Sequence, residues 1–364
     1  MIRVLNVISE LNNAGTEAVV MNYYRNMDRD IVQQDFLVLN TGKGYYEEEI
    51  TALGGRIYKI PSFTKDPIKC STLRKKFFRE HNYDIVEIHS PTICRYAYCK
   101  LAQKSGAKVI YHIHSAIPAP KWIEKHAQKS LRKYADRIVA CSEYAGKIAL
   151  GTDEKITVVR NAIDFKKYAF QPHVREDLRA FYLMEESDFV YGTVGRFSEV
   201  KNQKFLIHAF SLAYKENKHL RLVLKGFGEL ESDLKQYVAE SGLQDVVIFA
   251  KGDHTANSLY NMMDAFVLPS LNEGLGIVAI EAQANGLPVL ASSNITREIA
   301  LSEQVRFLDL DLSLWEKALS EGTDVLLRQT VESDHWKKTG YDIEQESINR
   351  QKEFLLMCKQ GNDK

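Results

Sequence analysis

Residues 272–291 read NEGLGIVAIEAQANGLPVLA, and the run IVAIEAQA within them contains a single carboxylate, Glu281. An apolar segment at 265–268 precedes this stretch, Gly286 is a residue type that ends helices, and another apolar segment follows at 288–291. The pattern predicts a strand, a loop, a helix at about 277–285 and a strand, which is a βαβ unit. Apolar side chains surround this helix on nearly every side, so it should be largely buried. We therefore expect Glu281 to have a partner, because a buried carboxylate without one is very costly.

Short apolar segments alternate with helical patterns along both halves of the chain, which is typical of parallel sheets covered by helices. A chain of 364 residues also exceeds what one hydrophobic core usually serves. We therefore predict an α/β protein with two Rossmann-like domains, at 1–165 and 166–342, joined near 161–172, where both patterns lapse. The predicted strands lie at 4–8, 35–39, 57–60, 85–88, 109–113, 137–140, 189–194, 220–224, 246–249, 265–268 and 288–291.

Composition places the chain among ordinary soluble globular proteins, with 45% hydrophobic and 26% charged residues and a formal net charge of zero. No apolar run reaches the length of a signal peptide or a spanning helix, so we expect a cytoplasmic protein. The cysteines are odd in number and form no C-x-x-C pair, which favours a reducing compartment and argues against structural zinc. They are Cys70, Cys94, Cys99, Cys141 and Cys358.

Three loops that follow predicted strands carry groups suited to anions. In parallel sheets, ligands bind beyond the carboxyl ends of the strands, where backbone N–H groups at helix starts point outward. The first loop, SELNNAGTE, uncovers its backbone at Gly15, and the second, GRFSEVKN, carries Arg196 and Lys201. The third is NEGLG, in which Gly274, Leu275 and Gly276 precede the buried helix. Each loop alone is weak evidence, but together they predict a cleft lined by anion-binding groups from both domains.

A diphosphate that carries hydroxyl groups fits these residues. Arg196 would bind it by its forked guanidinium and Lys201 as a point charge. The hydroxyls of a ribose would donate to Glu281, although neighbouring protein donors could satisfy this carboxylate as well. Glu273 could bind a second polyol, or could simply be a charge near a helix N-terminus. A diphosphate between a ribose and another polyol describes a nucleotide sugar.

The segment PSLNEGLGIVAIEAQANGLPV resembles the signature of retaining glycosyltransferase family 4, in which two glutamates with seven residues between them bracket a glycine turn. Further matching segments are VEIHSP, YHIHSA, VVRNAID and GTVGRFSEVKN, so the resemblance covers almost the whole chain. It implies the GT-B architecture, in which two Rossmann-like domains face each other across a cleft. It also implies that a helix at about 343–359 packs back on the first domain.

The resemblance also implies roles for individual residues. Glu273 would contact hydroxyls of the donor sugar, Glu281 would contact the ribose, and His114 would lie near the reacting centre. Arg196 and Lys201 would neutralise the diphosphate leaving group, which the backbone at Gly15 would approach from the other domain. Ala14 stands where the family commonly has a second glycine, so the backbone there could approach the phosphate less closely.

The implied activity is retaining transfer of a sugar from a nucleotide sugar, most commonly a UDP-sugar, to a glycan or lipid-linked acceptor in polysaccharide synthesis. Retention by front-face attack needs no assigned base, and the cations and helix ends would replace a metal, so neither cofactor nor metal is expected. The alternatives are a nucleotide-sugar 2-epimerase or hydrolase of the same architecture, and a non-catalytic partner subunit. Product that forms only when an acceptor is added would separate transfer from the first alternative.

The sequence gives little support to a metal site or a dinucleotide site. His112 and His114 have the spacing of metal ligands on one strand face, but no carboxylate cluster accompanies them in sequence. His89 could equally be a ligand contact or a buried histidine with protein partners. Two Asp-x-Asp pairs are better explained as helix caps or solvated charges, and no G-x-G-x-x-G follows a strand. These pairs are Asp28 with Asp30 and Asp309 with Asp311.

Basic residues concentrate in the first half of the chain, where residues 1–164 contain 25 Lys and Arg against 18 Asp and Glu. Four lysines recur at four-residue spacing beside Trp122, so a helix there would present one basic stripe. This stripe is either a solvated face or a contact with an anionic membrane surface, and no nucleic acid partner is expected. The four are Lys121, Lys125, Lys129 and Lys133.

Overall fold

The computed structural model describes residues 1–12, 15–152, 156–250, 252, 254–325, 327–329 and 333–359. Its strands are β1 Ile2–Ile8, β2 Val32–Val38, β3 Ile57–Lys59, β4 Ile85–Ser90, β5 Lys108–Ile113, β6 Arg137–Ala140, β7 Thr157–Val158, β8 Phe189–Val194, β9 Leu220–Lys225, β10 Val247–Phe249, β11 Ala265–Leu268, β12 Val289–Ser292 and β13 Val305–Leu308.

The helices follow the strands in the alternation that the sequence predicts. They are α1 Gly15–Asn26, α2 Glu47–Ala52, α3 Pro67–Glu80, α4 Ala97–Lys104, α5 Lys121–Tyr134, α6 Glu143–Leu150, α7 Phe165–Tyr168, α8 Pro172–Phe181, α9 Gln203–Glu216, α10 Glu231–Glu240, α11 Ala256–Met262, α12 Ile277–Ala284, α13 Leu312–Val325, α14 Ser333–Thr339 and α15 Ile343–Lys359. None of the described helices is long and apolar enough to cross a membrane.

The chain divides into two compact units. The first unit contains residues 1–163 and the segment that begins at Gly340, and the second contains residues 164–339. A parallel sheet of seven strands in the order β3-β2-β1-β4-β5-β6-β7 forms the centre of the first unit. The order reverses between β1 and β4, where Val4 pairs with Ile85. The loops after β1 and β4 leave the sheet in opposite directions, so their starts border the crevice where α/β sheets bind ligands.

The helix α15 belongs to the first unit, where it packs against α1. Ile163, at the end of the first segment of this unit, forms an isolated parallel bridge with Asp342. The chain therefore re-enters the first unit next to the point where it leaves it. Arg350 on α15 is buried and donates to Glu87 Oε1 on β4 at 2.7 Å. A buried guanidinium needs such a partner, and this ion pair links the helix to the sheet.

The second unit is built around a parallel sheet of six strands in the order β10-β9-β8-β11-β12-β13. Its order reverses between β8 and β11, where Tyr191 pairs with Ala265. The apolar faces of the strands and of α9, α10 and α13 form one buried cluster. As in the first sheet, the ligand-binding edge is expected at the carboxyl ends of the two strands that flank the reversal.

The α/β class and the parallel sheets predicted from the sequence are confirmed, and each of the eleven predicted strands overlaps an observed one. Two strands escaped prediction. β7 is only two residues long, and β13 has the sequence VRFL, in which Arg306 interrupts the apolar run. β13 pairs with β12 along its whole length, and tertiary pairing therefore decides its structure more than its own sequence does.

Candidate functional site

Lys201 and Glu273 meet at the point where the strand order of the second sheet reverses. Lys201 follows β8 and Glu273 follows β11, and their Nζ and Oε1 atoms lie 2.5 Å apart. The two loops are also tied through their backbones, since Leu271 N donates to the carbonyl of Val200 at 2.8 Å. Ser270 Oγ donates to the same oxygen of Glu273 at 2.7 Å. The two candidate residues thus form an ion pair whose side chains are 23% and 11% exposed, respectively.

Glycines bring a third loop against this edge. A Cβ on Gly226 would lie 1.9 Å from the carbonyl oxygen of Gly195, and one on Gly228 would lie 2.3 Å from that of Phe197. Only glycine permits backbones to approach this closely. The segment KGFGEL, residues 225–230, therefore packs the loop after β9 against the loop after β8.

Arg196 occupies the same loop as Lys201 but lies in solvent. Its side chain is 69% exposed, and its Nε donates to Glu229 Oε2 at 3.0 Å. An exposed ion pair of this kind contributes little to stability, so the guanidinium can change partner at small cost. The carbonyl of Arg196 is fixed by Gln203 Nε2 at 2.8 Å, which anchors the loop to the first turn of α9.

The turn NEGLG ends at a position whose backbone conformation requires glycine. Gly276 is the N-cap of α12 with φ of +90°, and its Cβ position is 3.3 Å from Leu268 Cδ2. Leu275 is buried in the core, so only its backbone can contribute to a site. Gly274 lies between Glu273 and Leu275, before the start of the helix. The turn therefore directs the N-terminus of α12 to the same edge as Glu273.

Glu281 accepts hydrogen bonds from two tyrosines. Tyr168 donates to Oε1 at 3.0 Å and Tyr260 donates to Oε2 at 2.8 Å. Burial raises the pKa of Glu281, although both tyrosine hydroxyls act in the opposite direction. The expected partner exists, and in this structure it is a pair of protein donors. A carboxylate offers about four acceptor positions, so these two bonds leave others that could accept from ligand hydroxyls.

Neither tyrosine was singled out from the sequence. Tyr168 ends α7 and Tyr260 lies in α11, and no motif marks either position. Asn285 helps to position Tyr168, since its Nδ2 donates to the carbonyl of Tyr168 at 2.8 Å. A buried carboxylate on an apolar helix predicts some donor, but only the packing of three helices identifies which one.

His114 directly follows β5 in the first unit and is 9% exposed. Its Nε2 lies 2.9 Å from His89 Nδ1, and His89 Nε2 lies 3.0 Å from Asn6 Oδ1. Asn6, His89 and His114 belong to neighbouring strands or their ends, β1, β4 and β5. His89 thus has protein partners at both ring nitrogens, which was one of the two possibilities left open by the sequence.

His112 has a single carboxylate beside it, which the sequence did not identify. Its Nδ1 lies 2.8 Å from Glu87 Oε1, which also accepts from Arg350. The pairing of β4 with β5 places Glu87 opposite Ile110 and therefore near His112, a relationship that sequence separation conceals. Burial raises the pKa of Glu87, but the charge of Arg350 and the hydrogen bond from His112 outweigh burial and hold that pKa well below its usual range.

Gly15 is the first residue of α1, and no atom of the described residues lies within 4 Å of its Cβ position. Ala14 lies outside the described residues. Arg95 is a cation that the sequence analysis missed at this edge: it donates to the carbonyl of His89 at 2.5 Å and to Ser9 Oγ. Nothing but its position after β4 could have identified it. Burial lowers the pKa of Arg95 and raises that of nearby Glu17 to about 7.

Among the described residues, two groups have ligand atoms close enough for a metal ion, His89 with His112 and His114, and Glu185 with Asp188 and His219. The Asp-x-Asp pairs are not among them. Asp28 Oδ1 accepts from the backbone of Asp30, and Asp311 Oδ1 accepts from Leu314 N at the start of α13. The Asp311 contact is a helix cap, one of the two explanations that the sequence favoured, whereas the Asp28 contact lies in the turn before β2.

Comparisons with known proteins cover both units. The description Glycosyltransferase Family 4 matches residues 13–167, and Glycosyl transferases group 1 matches residues 174–308. The chain is 29% identical over 365 residues, 94% of each protein, to the Bacillus subtilis protein named "Putative glycosyltransferase EpsF". It is 27% identical over 243 residues, 60% of each protein, to the Escherichia coli UDP-Gal:alpha-D-GlcNAc-diphosphoundecaprenol alpha-1,3-galactosyltransferase.

Among solved structures, Anabaena HepE in complex with UDP and glucose matches with a TM-score of 0.74 at 17% identity. The match covers 100% of this chain and 99% of HepE, and it confirms the GT-B fold expected from the sequence. Sequence matches in both units and a fold shared along the whole chain lead to one conclusion: the chain belongs to glycosyltransferase family 4.

Proposed function

We propose that this protein transfers a sugar from a nucleoside diphosphate sugar, a UDP-sugar, to a glycan or lipid-linked acceptor with retention of anomeric configuration. The observation that carries the proposal is the ion pair of Lys201 and Glu273 at the reversal point of the second sheet. Support for the substrate class comes from two similar proteins: HepE was solved with UDP and glucose, and the E. coli relative is named for a UDP-sugar and a diphosphoundecaprenol acceptor.

Lys201 is suited to the diphosphate. An ammonium group has three N–H donors, and the structure gives Lys201 one described acceptor, Glu273. The remaining donors can bind phosphate oxygens while Glu273 keeps the ammonium oriented. Arg196 can join them by leaving its exposed pair with Glu229. In this proposal the two cations stabilise the charge that develops on the leaving diphosphate, and no metal ion or cofactor is required.

In this proposal Glu273 and Glu281 bind hydroxyl groups on different parts of the donor. Glu273, in the loop after β11, contacts the sugar, while Glu281, just over one turn into α12, contacts the ribose. The N-terminus of α12, opened by Gly276, adds backbone N–H groups for the phosphates between them. Retention follows from attack on the face that the diphosphate leaves, with a phosphate oxygen taking the proton of the acceptor.

The test is a transfer assay with a panel of UDP-sugars and with glycan and polyprenyl diphosphate glycan acceptors. We expect a product whose anomeric configuration, read by NMR, equals that of the donor, and whose formation requires the acceptor. Lys201→Met should abolish most turnover, whereas Lys235→Met should not, although Lys235 also pairs with a glutamate at 2.6 Å in the same unit. Inversion at the anomeric carbon, or acceptor-independent release of an epimerised sugar, would contradict the proposal.

A membrane surface is the proposed location of a lipid-linked acceptor. The helix α5 exposes the four lysines of the predicted basic stripe, Lys121, Lys125, Lys129 and Lys133, and the side chain of Trp122 is 83% exposed beside them. Each basic residue near an anionic surface contributes about 1 kcal/mol, so four suffice for reversible docking. An exposed tryptophan suits the interface between headgroups and acyl chains.

Vesicle co-sedimentation tests this surface. We expect binding to anionic but not to zwitterionic vesicles, weakened by salt and by changing Lys121, Lys125 and Lys129 to Glu. The control reverses three exposed lysines of the second unit, Lys204, Lys215 and Lys218, which alters net charge equally. Equal loss of binding in both variants would show that net charge, and not the stripe on α5, causes the binding. Equal binding to both vesicle types would contradict the proposed docking to an anionic surface.

A further inference from the structure

A hydrogen-bonded chain crosses the first unit from β2 to the end of β5. Gln34 Nε2 donates to Met27 Sδ at 3.1 Å, and because a thioether can only accept, the carbonyl oxygen of Gln34 must face Asn6. Asn6 Nδ2 donates to that oxygen at 2.8 Å. The carbonyl oxygen of Asn6 is consequently the atom that meets His89, at 3.0 Å from its Nε2.

This order of donors and acceptors determines which ring nitrogens carry protons. An amide oxygen only accepts, so His89 Nε2 carries a proton and donates to Asn6. A neutral His89 then has a bare lone pair at Nδ1, which lies 2.9 Å from His114 Nε2 and must accept from it. His114 therefore carries its proton at Nε2. Its Nδ1 is left with a lone pair and no proton.

The lone pair of His114 is buried and has no hydrogen-bond partner among the described residues. A buried acceptor without a partner is destabilising, so its presence calls for an explanation. The atom belongs to a side chain at the carboxyl end of β5, two strands from β1, and thus to the edge where ligands of such sheets bind. A ligand that donates a hydrogen bond would satisfy it.

The charges around His114 oppose protonation of its ring. The groups that face it are His89, His112, Glu87, Arg95 and, through Glu87, Arg350. Burial is the largest cause that holds the pKa of His114 well below its usual range, followed by the two histidines, while Glu87 acts in the opposite direction. Glu87 is already engaged by Arg350 and His112 and provides little compensation.

We propose that Asn6 and His89 are positioning residues that hold His114 in the Nε2–H tautomer, so that Nδ1 accepts a hydrogen bond from a hydroxyl group of the substrate. The identity of that substrate rests on the proposed glycosyl transfer, whereas the tautomer does not. In this role His114 recognises a hydroxyl by accepting from it and does not deliver a proton to the leaving group. A substrate that carries fluorine in place of that hydroxyl would be rejected, because fluorine cannot donate to Nδ1.

The tautomer can be measured on the unmodified protein. Long-range 15N–1H NMR spectra of protein labelled in histidine distinguish a protonated from a bare ring nitrogen, and His114→Asn identifies the signals of His114. We expect His114 to show a bare Nδ1 and a protonated Nε2 from pH 5.5 to 8.5, with the same tautomer for His89. A proton on His114 Nδ1, or a charged ring in this range, would overturn the proposal whether or not the protein transfers sugars.

The positioning role is tested by Asn6→Leu, which removes the acceptor of His89 at similar volume. We expect kcat to fall about 10-fold, the affinity for UDP to stay within about 2-fold, and His114 to show a mixture of tautomers. The control is Gln33→Met, which removes another buried amide of the first sheet, bonded to Tyr24 and to the carbonyl of Leu53. It should lower thermal stability as Asn6→Leu does but leave the tautomer and kcat unchanged.

Two results separate the proposals. If the wild-type protein shows the expected tautomer but neither binds UDP nor transfers a sugar, the proposed function fails and the positioning chain survives. If Asn6→Leu keeps both the wild-type tautomer of His114 and the wild-type kcat, the chain does not position His114 and this proposal fails.

Discussion

At the scale of single residues, the two tyrosines on Glu281 define what a change there should do. Glu281→Gln keeps the shape but replaces one accepting oxygen by a donating amide, which cannot accept from Tyr168 or Tyr260. Because hydrogen bonds to charged groups contribute about 1.5–3 kcal/mol, we expect the Kd for UDP to rise about 10-fold or more. Calorimetric titration measures it, with Glu231→Gln, at a partly exposed position, as the control. Equal affinity of both variants and wild type would remove the ribose contact from Glu281.

The buried carboxyl of Glu17 predicts a pH dependence of stability. Burial raises its pKa from 4.5 to about 7, so between these values the folded protein holds a proton that the unfolded chain has lost. Its contribution to stability is therefore present below about pH 4.5 and is lost as pH rises through 7, by about 3 kcal/mol in all. Glu17→Gln should raise the melting temperature of the first unit at pH 8 and change it little at pH 4.5.

Differential scanning calorimetry of wild type and Glu17→Gln at the two pH values checks this prediction. Glu10→Gln serves as the control, because Glu10 lies near Glu17 but is less buried. A stabilisation by Glu17→Gln that is the same at pH 4.5 and pH 8 would show that the carboxyl titrates in the folded protein as it does in the unfolded chain.

Single residues also show where the sequence was sufficient. The apolar helix predicted both the burial and the need for a partner of Glu281, because these follow from local periodicity. It could not predict Tyr168 and Tyr260, which are 113 and 21 residues away along the chain. Lys201 and Glu273 were found separately as loop residues, and their ion pair became visible only when the neighbouring positions of β8 and β11 were known.

At the scale of elements, α15 is anchored to the first sheet through one buried ion pair. Arg350→Met would leave Glu87 as an uncompensated buried charge, which typically costs about 3–5 kcal/mol. We expect a correspondingly lower stability of the first unit in chemical denaturation. Lys352→Met, at an exposed position of the same helix, should have no comparable effect.

A double variant makes this prediction sharper. Glu87→Gln in the Arg350→Met background removes the isolated charge, so it should recover part of the lost stability. If the double variant is less stable than Arg350→Met alone, the ion pair is not what fixes α15, and apolar packing of the helix against α1 would account for its position.

Elements were predicted best where local pattern and tertiary environment agree. Strands such as β8 and β11 have the observed ends because short apolar runs bounded by polar loops specify buried parallel strands. β13 was not predicted because Arg306 interrupts its apolar pattern, and it forms nevertheless because it pairs with β12. The order of the strands in each sheet brings the site residues together. This order depends on how the chain connects the strands, which no single segment of sequence specifies.

At the scale of the whole molecule, the proposal assigns the neutralisation of the leaving group to protein cations and helix ends. Transfer should therefore persist in EDTA and should not be increased by Mg²⁺ or Mn²⁺. The assay is the transfer reaction itself, run on protein dialysed against the chelator. Loss of transfer that either ion restores would contradict this assignment and direct attention to the cluster of His89, His112 and His114.

The central claim is that the loops after β8 and β11 bind the diphosphate of a nucleotide sugar, and calorimetric titration with UDP tests it most directly. We predict measurable binding to the wild-type protein and a Kd about 10-fold or more higher for Lys201→Met, since a charge-assisted contact is lost. Lys235→Met, which removes an exposed lysine from a similar ion pair, should bind like wild type. Wild-type affinity in Lys201→Met would contradict the account.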